Sequence, residues 1–262
     1  MKNIKMIVTD LDNTLLRKNK SISDYTESVL KKCHENGYLL VYATARPERA
    51  TRKWQLDNFS TYIISNNGAT ISFNGKEIQN ISISESTKHN LIKRFIADND
   101  VTSICVETGL SLYTNDKNYL NWESVGFDTG WNPVYHDFIT PITEKTCKFS
   151  VECKNPEIII KILREYPEVK FYHNSGEVWY QIMDSTTSKF NAITYLSNQT
   201  GVKLQDIIAF GDDFNDVEML QKCGVGVAVE NAVINAKEAA NFICDTNDDD
   251  GVSKWIEQNL LT

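Results

Sequence analysis

Short apolar runs alternate with helix-length segments at both ends of this chain, and the alternation breaks in the middle. No other feature limits the fold so strongly. In the first third, "KMIVT" over 5–9 reads as a strand and 24–35 as a helix, which Ser23 or Asp24 caps and Gly37 ends. "YLLVYA" over 38–43 reads as a second strand, followed by a short helix from Pro47 and a strand at 62–64 that leads into "SNNGA". "ISFNGKEI" reads as a hairpin turning on Asn74-Gly75. The last third predicts helix 187–199, strand "DIIAF" over 206–210, helix 215–223, strand 225–229, helix 232–240, a short strand 242–244 and helix 251–260. Strands separated by helices of this size imply a parallel sheet with right-handed crossovers.

The middle predicts helix 85–98, strands 101–107 and 110–113, helix 117–124, strand 147–153, helix 156–165, and strands 169–173 and 177–183. Adjacent strands of this kind point to a separate antiparallel α+β unit. The expected architecture is therefore α/β: a Rossmann-like parallel-sheet core from 1–83 and 185–262, with an α+β domain over 84–184 inserted. No internal repeat is visible. "CGVGVAV" lacks the third glycine and the helix of a dinucleotide loop and reads as a strand.

Composition narrows the function. The 262 residues are 41% hydrophobic and 24% charged, enough for a large core, with a net charge of −8. That balance argues against a nonspecific nucleic-acid or anionic-membrane binder, since both need a basic face. An anionic substrate would need local cations or a metal. No stretch approaches the ~20 apolar residues of a membrane span, and Lys2, Asn3, Lys5, Asp10 and Asp12 interrupt the beginning, so no secretory leader and a cytoplasmic location are expected. Asn58-Phe59-Ser60 is then a chance glycosylation triplet. Cys33, Cys105, Cys147, Cys153, Cys223 and Cys244 form no C-x-x-C pair and read as reduced core thiols. Cys147, Phe149, Val151 and Cys153 alternate with Lys148, Ser150 and Glu152, as in a half-buried strand.

Ligands of open parallel sheets bind beyond the carboxyl ends of the strands. The first strand delivers Asp10 and Asp12 there, the second Thr44 and Arg46, and "DIIAF" delivers Asp212, Asp213, Asn215 and Asp216. Asp10, Asp12 and Asp212 would converge at one sheet edge and repel unless a cation joins them, and all-oxygen ligation suits Mg²⁺. Lys189 stands in the first turn of the helix that re-enters the core.

"DLDNTLL", "ATAR", Lys189 before "FNAITYL", and "GDDFNDVEML" together resemble the four motifs of the haloacid dehalogenase superfamily of aspartate-nucleophile phosphatases. The insert entering after "NNGA" resembles the larger cap of the Cof-type subfamily, and the similarity runs on through "GVAVENA" and "NDDDGV". Asn13 stands where many members have Gly, and Ala45 where many Cof-type members have Gly; Ala45 keeps the N–H but adds a methyl.

The resemblance implies phosphoryl transfer through an aspartyl-phosphate. Asp10 would be the nucleophile and Asp12 the general acid and then base. Thr44 would hold a phosphate oxygen, with Leu11 and Ala45 offering backbone N–H groups, and Lys189 and Asn215 would also touch phosphate. Mg²⁺ would be held by Asp10, the Asp12 carbonyl and Asp212, with Asp216 orienting Lys189 or metal-bound water from behind. Arg46 would bind substrate or pair with the inserted domain. Asp213 reads as a helix-end charge, Asn67 as a turn residue, and His34, His89, His136 and His173 show no catalytic spacing.

The insert would act as a lid that selects the substrate; it holds Trp122, Trp131, His136, Tyr172, His173, Trp179 and Tyr180, which together could stack on a sugar or planar ring, while each singly reads rather as filling the insert's own core. The expected activity is Mg²⁺-dependent hydrolysis of small phosphorylated metabolites, with sugar phosphates the leading class, by a monomer or weak homo-oligomer. A phosphomutase of the same superfamily and a noncatalytic receiver-like phosphate-binding module are the alternatives.

Overall fold

The computed structural model describes residues 3–55, 61–120, 130–131, 133–173 and 179–261. They divide into two compact units, Met1–Arg46 with Lys53–Ile78 and Ser188–Thr262, and Pro47–Arg52 with Gln79–Thr187.

The first unit is built on an eight-stranded sheet among the described residues. Its strands are β1 (Met6–Thr9), β2 (Leu39–Ala43), β3 (Thr61–Ser65), β4 (Thr70–Phe73), β5 (Lys76–Asn80), β12 (Ile207–Gly211), β13 (Val225–Val229) and β14 (Phe242–Cys244). The order is β14-β13-β12-β1-β2-β3-β4-β5. Neighbours from β14 to β3 run parallel, and β4 turns back antiparallel on β3. Along β1, Ile7 packs into one apolar layer while Met6 and Val8 pack into the other; in β12, Ile208 and Phe210 oppose Ile207 and Ala209 in the same way. Both faces are thus covered, which is why these strands read as unbroken apolar runs. Helices α1 (Asp24–Glu35) and α7 (Gly251–Leu260) cover one face through Val29, Leu30, Cys33, Trp255 and Ile256. Helices α4 (Lys189–Thr200) and α5 (Val217–Lys222) cover the other through Ala192, Ile193, Leu196 and Met219. Helix α6 (Ile234–Ala239) lies between β13 and β14 in sequence. Ser23 caps α1 by accepting from the Thr26 N–H, and Asn74 and Gly75 turn the β4–β5 hairpin with φ of 50° and 74°.

The second unit carries a six-stranded sheet, described over β6 (Val101–Glu107), β7 (Leu112–Thr114), β8 (Pro133–Tyr135), β9 (Lys148–Cys153), β10 (Val169–His173) and β11 (Trp179–Asp184), in the order β10-β11-β9-β6-β7-β8. Helices α2 (Glu85–Ile96) and α3 (Pro156–Leu163) bury Leu91, Phe95, Ile159 and Ile162 against Ile104, Val106, Phe149, Val151 and Ile182 on one face. Two expectations change here. The sheet is not wholly antiparallel, because β8 runs parallel to β7. β8 was missed in the sequence: it is three residues long and opens on a proline, which suits an edge strand with no ladder partner for its nitrogen. Lys148, expected on an outward face, is 3% exposed, and its Nζ reaches the Gln181 Oε1 at 3.4 Å.

Residues 47–52 join this unit through Arg49. Its guanidinium meets both Glu107 oxygens at 2.7 Å and the carbonyls of Gly109 and Trp131 at 3.0 Å. A charge pair of this kind leaves no periodic trace in a sequence. The expected helix at 117–124 is seen only as a 3₁₀ turn over 117–120; its remainder, with Trp122, lies outside the described residues, as does Asn58-Phe59-Ser60. All six cysteines are buried and unbridged.

Candidate active site

Parallel pairing sets the strand ends level. Thr9 stands opposite Phe210 and Tyr42, and the chain leaves β1 at Asp10, whose N–H still donates to the Phe210 carbonyl at 2.9 Å. At this edge the Lys189 Nζ donates to Asp10 Oδ1 at 2.6 Å and to Asp216 Oδ1 at 2.7 Å. The Ser188 hydroxyl caps α4 by accepting from the Asn191 N–H, so Lys189 begins the helix and is fixed by it. Asp216 Oδ2 accepts the backbone N–H groups of Asp212 and Asp213. Gly211 makes that possible, since a Cβ there would meet the Asp216 side chain at 2.5 Å. Thr14, the last letter of D-x-D-x-T, donates its hydroxyl to Asp212 Oδ1 at 2.7 Å.

Asp10, Asp212 and Asp216 are all buried and offer oxygens within 4.8 Å of one another. One ammonium faces three carboxylates. Burial pushes the Asp10 carboxyl up to about 7, against the pull of Lys189 and with the charges of Asp216 and Asp12 adding to it. Burial also lifts Asp212 to about 9, with Asp10 and Asp216 reinforcing. For Lys189, burial pulls the pKa down, but the two carboxylates outweigh it and hold the ammonium charged. The cluster is short of positive charge and its donors are all oxygen, which fits a hard divalent cation. Of the three, Asp216 already receives three hydrogen bonds, so it serves best as the group that fixes Lys189.

Asp12 lives differently. Arg46 forks onto it, Nε to Oδ2 at 2.6 Å and Nη2 to Oδ1 at 2.8 Å, and the Lys20 Nζ adds a third contact at 2.7 Å. Burial alone would raise its pKa; Arg46 and Lys20 outweigh that and bring it to about 2. Trp54 organises the cations: the Arg46 guanidinium lies 4.7 Å above its ring, and its indole N–H donates to the Lys20 carbonyl. Neither Lys20 nor Trp54 was singled out from the sequence, and no spacing rule would have found them. Arg46 pairs with Asp12, a partner outside both expectations for it, substrate or the inserted domain.

Thr44 is buried, and its Oγ1 accepts the Arg46 N–H at 3.1 Å, which leaves the hydroxyl proton to give. Leu11 and Ala45 occupy the turns that leave β1 and β2. Asn215 donates its amide to Asn67 Oδ1 at 2.9 Å. Asn67 shapes a turn and also presents a side chain: Asn66, Asn67 and Gly68 have φ of 50°, 57° and 98° in succession. Gly68 must lack a side chain, because a Cβ would stand 2.2 Å from the Ser188 carbonyl oxygen. Asp213 accepts from the Phe214 N–H and lies outside the carboxylate cluster.

The family model for haloacid dehalogenase-like hydrolases matches residues 7–256. Two relatives from Bacillus subtilis, YwtE and YcsE, are named 5-amino-6-(5-phospho-D-ribitylamino)uracil phosphatases. YwtE is 27% identical over 98% of each chain, and YcsE is 25% identical over 98% of this chain and 96% of its own. Other relatives carry phosphatase names without a substrate. A solved haloacid dehalogenase-like hydrolase from Bacteroides thetaiotaomicron is 26% identical and superposes with a TM-score of 0.84 over 97% of this chain and 99% of that one. With the strand-end carboxylates, the buried lysine and the order of the four motifs in agreement with that match, this chain belongs to the haloacid dehalogenase-like hydrolases and is a phosphatase of their Cof-type branch.

Proposed function

We propose that this chain hydrolyses small phosphorylated metabolites, with sugar and sugar-alcohol phosphates the leading class, through an aspartyl-phosphate on Asp10. The observation that carries this reading is the buried Asp10 held by a lysine that Asp216 fixes from behind, beside an Asp212 with little counter-charge. The ribityl phosphate in the names of several relatives supports the substrate class.

The chemistry follows from the residues. An Asp10 oxygen attacks phosphorus in line as the ester P–O bond breaks. Lys189 offsets the charge of nucleophile and phosphoryl group. The Thr44 hydroxyl, and the N–H groups of Leu11 and Ala45, receive phosphate oxygens, with Asn215 close by. Asp10, Asp212 and the Asp12 carbonyl would hold Mg²⁺, which when bound neutralises the carboxylates and polarises the phosphoryl oxygens. Asp12 gives a proton to the leaving oxygen, then takes one from the water that displaces phosphate from Asp10. The Arg46 and Lys20 contacts hold Asp12 ionised, the state it needs as base. As acid it must first give up those contacts and take up a proton, which a phosphate ester entering as its monoanion can bring. Contacts to other parts of the substrate are the role we propose for the second unit. There Tyr180 fills its own core, with His173 stacked on it, so Trp131, Tyr172 and Trp179 are the better candidates.

The test is hydrolysis of p-nitrophenyl phosphate with and without Mg²⁺, followed by a panel of phosphorylated metabolites ranked by kcat/KM. Metal-dependent turnover, lost in EDTA and in Asp212→Ala, and a phosphate adduct on the Asp10 peptide after acid quench are expected. Full turnover after exhaustive chelation would remove the reading.

A further inference from the structure

We propose that Asn66 is a substrate-recognition residue whose carboxamide receives a hydroxyl of the organic part of the phosphate ester. This rests on the phosphatase reading above. Asn66 is 1% exposed, and neither its Oδ1 nor its Nδ2 has a hydrogen-bond partner among the described residues. An amide has two donors and two acceptor lone pairs, and burial with all of them idle is costly enough to ask for a reason.

Its place in the site supplies one. The Asn66 N–H donates to the Arg46 carbonyl and the Asn67 N–H to the Thr44 carbonyl, both at 2.9 Å. Gly68 lies against Ser188 and Lys189. Asn66 is therefore held at the carboxyl end of β3, between the turn that carries Thr44 and the helix start that carries Lys189. Its neighbour Asn67 has its Oδ1 engaged by Asn215. The left-handed backbone, φ 50°, accounts for a short polar residue there but not for a buried idle amide, because glycine meets the same backbone demand without one.

The chemistry of the amide selects the ligand. A phosphate or carboxylate oxygen only accepts and would leave Oδ1 idle. A hydroxyl both donates and accepts, so one hydroxyl, or two on adjacent carbons, uses both ends of the group. Sugar and sugar-alcohol phosphates present such hydroxyls close to the ester; simple alkyl and aryl phosphates do not.

The test compares ribitol phosphate with pentyl phosphate, which have the same chain length and differ in hydroxyls, in the Mg²⁺-loaded full-length enzyme. Asn66→Gly keeps the left-handed turn and removes the amide. The ratio of kcat/KM for the polyol ester over the alkyl ester is expected to fall about tenfold or more in Asn66→Gly. A fall is also expected in Asn66→Asp, which keeps the shape but loses the donors. A ratio within about twofold of the wild-type value overturns the proposal. So does a wild type that treats the two esters alike while hydrolysing both, which leaves the phosphatase reading standing. A wild type that cleaves neither of them nor p-nitrophenyl phosphate with Mg²⁺ removes that reading and this one with it.

Discussion

Asp10 and Asp12 stand two residues apart on one turn, and the molecule treats them in opposite ways. Around Asp10, three carboxylates share one lysine, and burial pushes the Asp10 carboxyl up to about 7. Around Asp12, two cations share one carboxylate and bring it to about 2. The lesson is that residue type assigns no role here. The count of charges within reach does, and that count is set by which strand ends and loops arrive on each side of Leu11.

The comparison breaks first at Asp10. Asp10→Asn removes the proposed nucleophile and relieves the crowded side of one charge. Turnover of p-nitrophenyl phosphate should fall on the order of 10⁴-fold or more, while circular dichroism and Tm show an intact fold. Near-normal turnover in a folded variant would take the nucleophile's role away from Asp10.

Asp12→Asn tests the cation-rich side. It leaves the proposed nucleophile and the backbone carbonyl in place, and removes the proposed acid and base, so a loss of about 10²–10⁴-fold is expected. The loss should be larger for a sugar phosphate than for p-nitrophenyl phosphate, whose leaving group departs with little need of a proton. If bond cleavage limits both substrates and both lose equally, Asp12 is not the leaving-group acid.

Lys189→Met sharpens the contrast as a stability measurement. It leaves buried carboxylates with no cation, and denaturant unfolding should show a loss of about 3 kcal/mol. Added Mg²⁺ should restore a large part of that loss, since a cation of another kind then occupies the same neighbourhood. No destabilisation without Mg²⁺ would mean that the crowded side is already neutralised by protons. Lys20→Ala is the mildest change. About a third of that side chain is exposed and Arg46 remains on Asp12, so kcat/KM should move by less than about fivefold and Tm hardly at all. A loss as deep as that of Asp12→Asn would show that Lys20 takes a direct part in the reaction.

Much of this was legible in advance for local reasons. The short apolar runs became β1, β2 and β12 because both faces of the first sheet are covered, and Ser23, Asn74 and Gly75 shaped their cap and turn through contacts within a few residues. The exit of Asp10, Thr44 and Asp212 at one edge follows from parallel pairing. Where reading by periodicity failed, the cause was a partner far away in the chain. β8 is too short to show a period, and Lys148 alternates as an outward residue yet lies in the interior beside Gln181.

The sequence by itself determined the pattern of elements, the carboxylates that leave the strand ends, and the kind of chemistry they suit, because these depend on neighbours along the chain. Only the tertiary structure decided that Arg46 and Lys20 hold Asp12, that Thr14 serves Asp212, that Asp216 fixes Lys189, and that Asn66 buries an idle amide. Burial and charge pairing are functions of distance in space between groups remote in sequence, and neither periodicity nor spacing carries that distance.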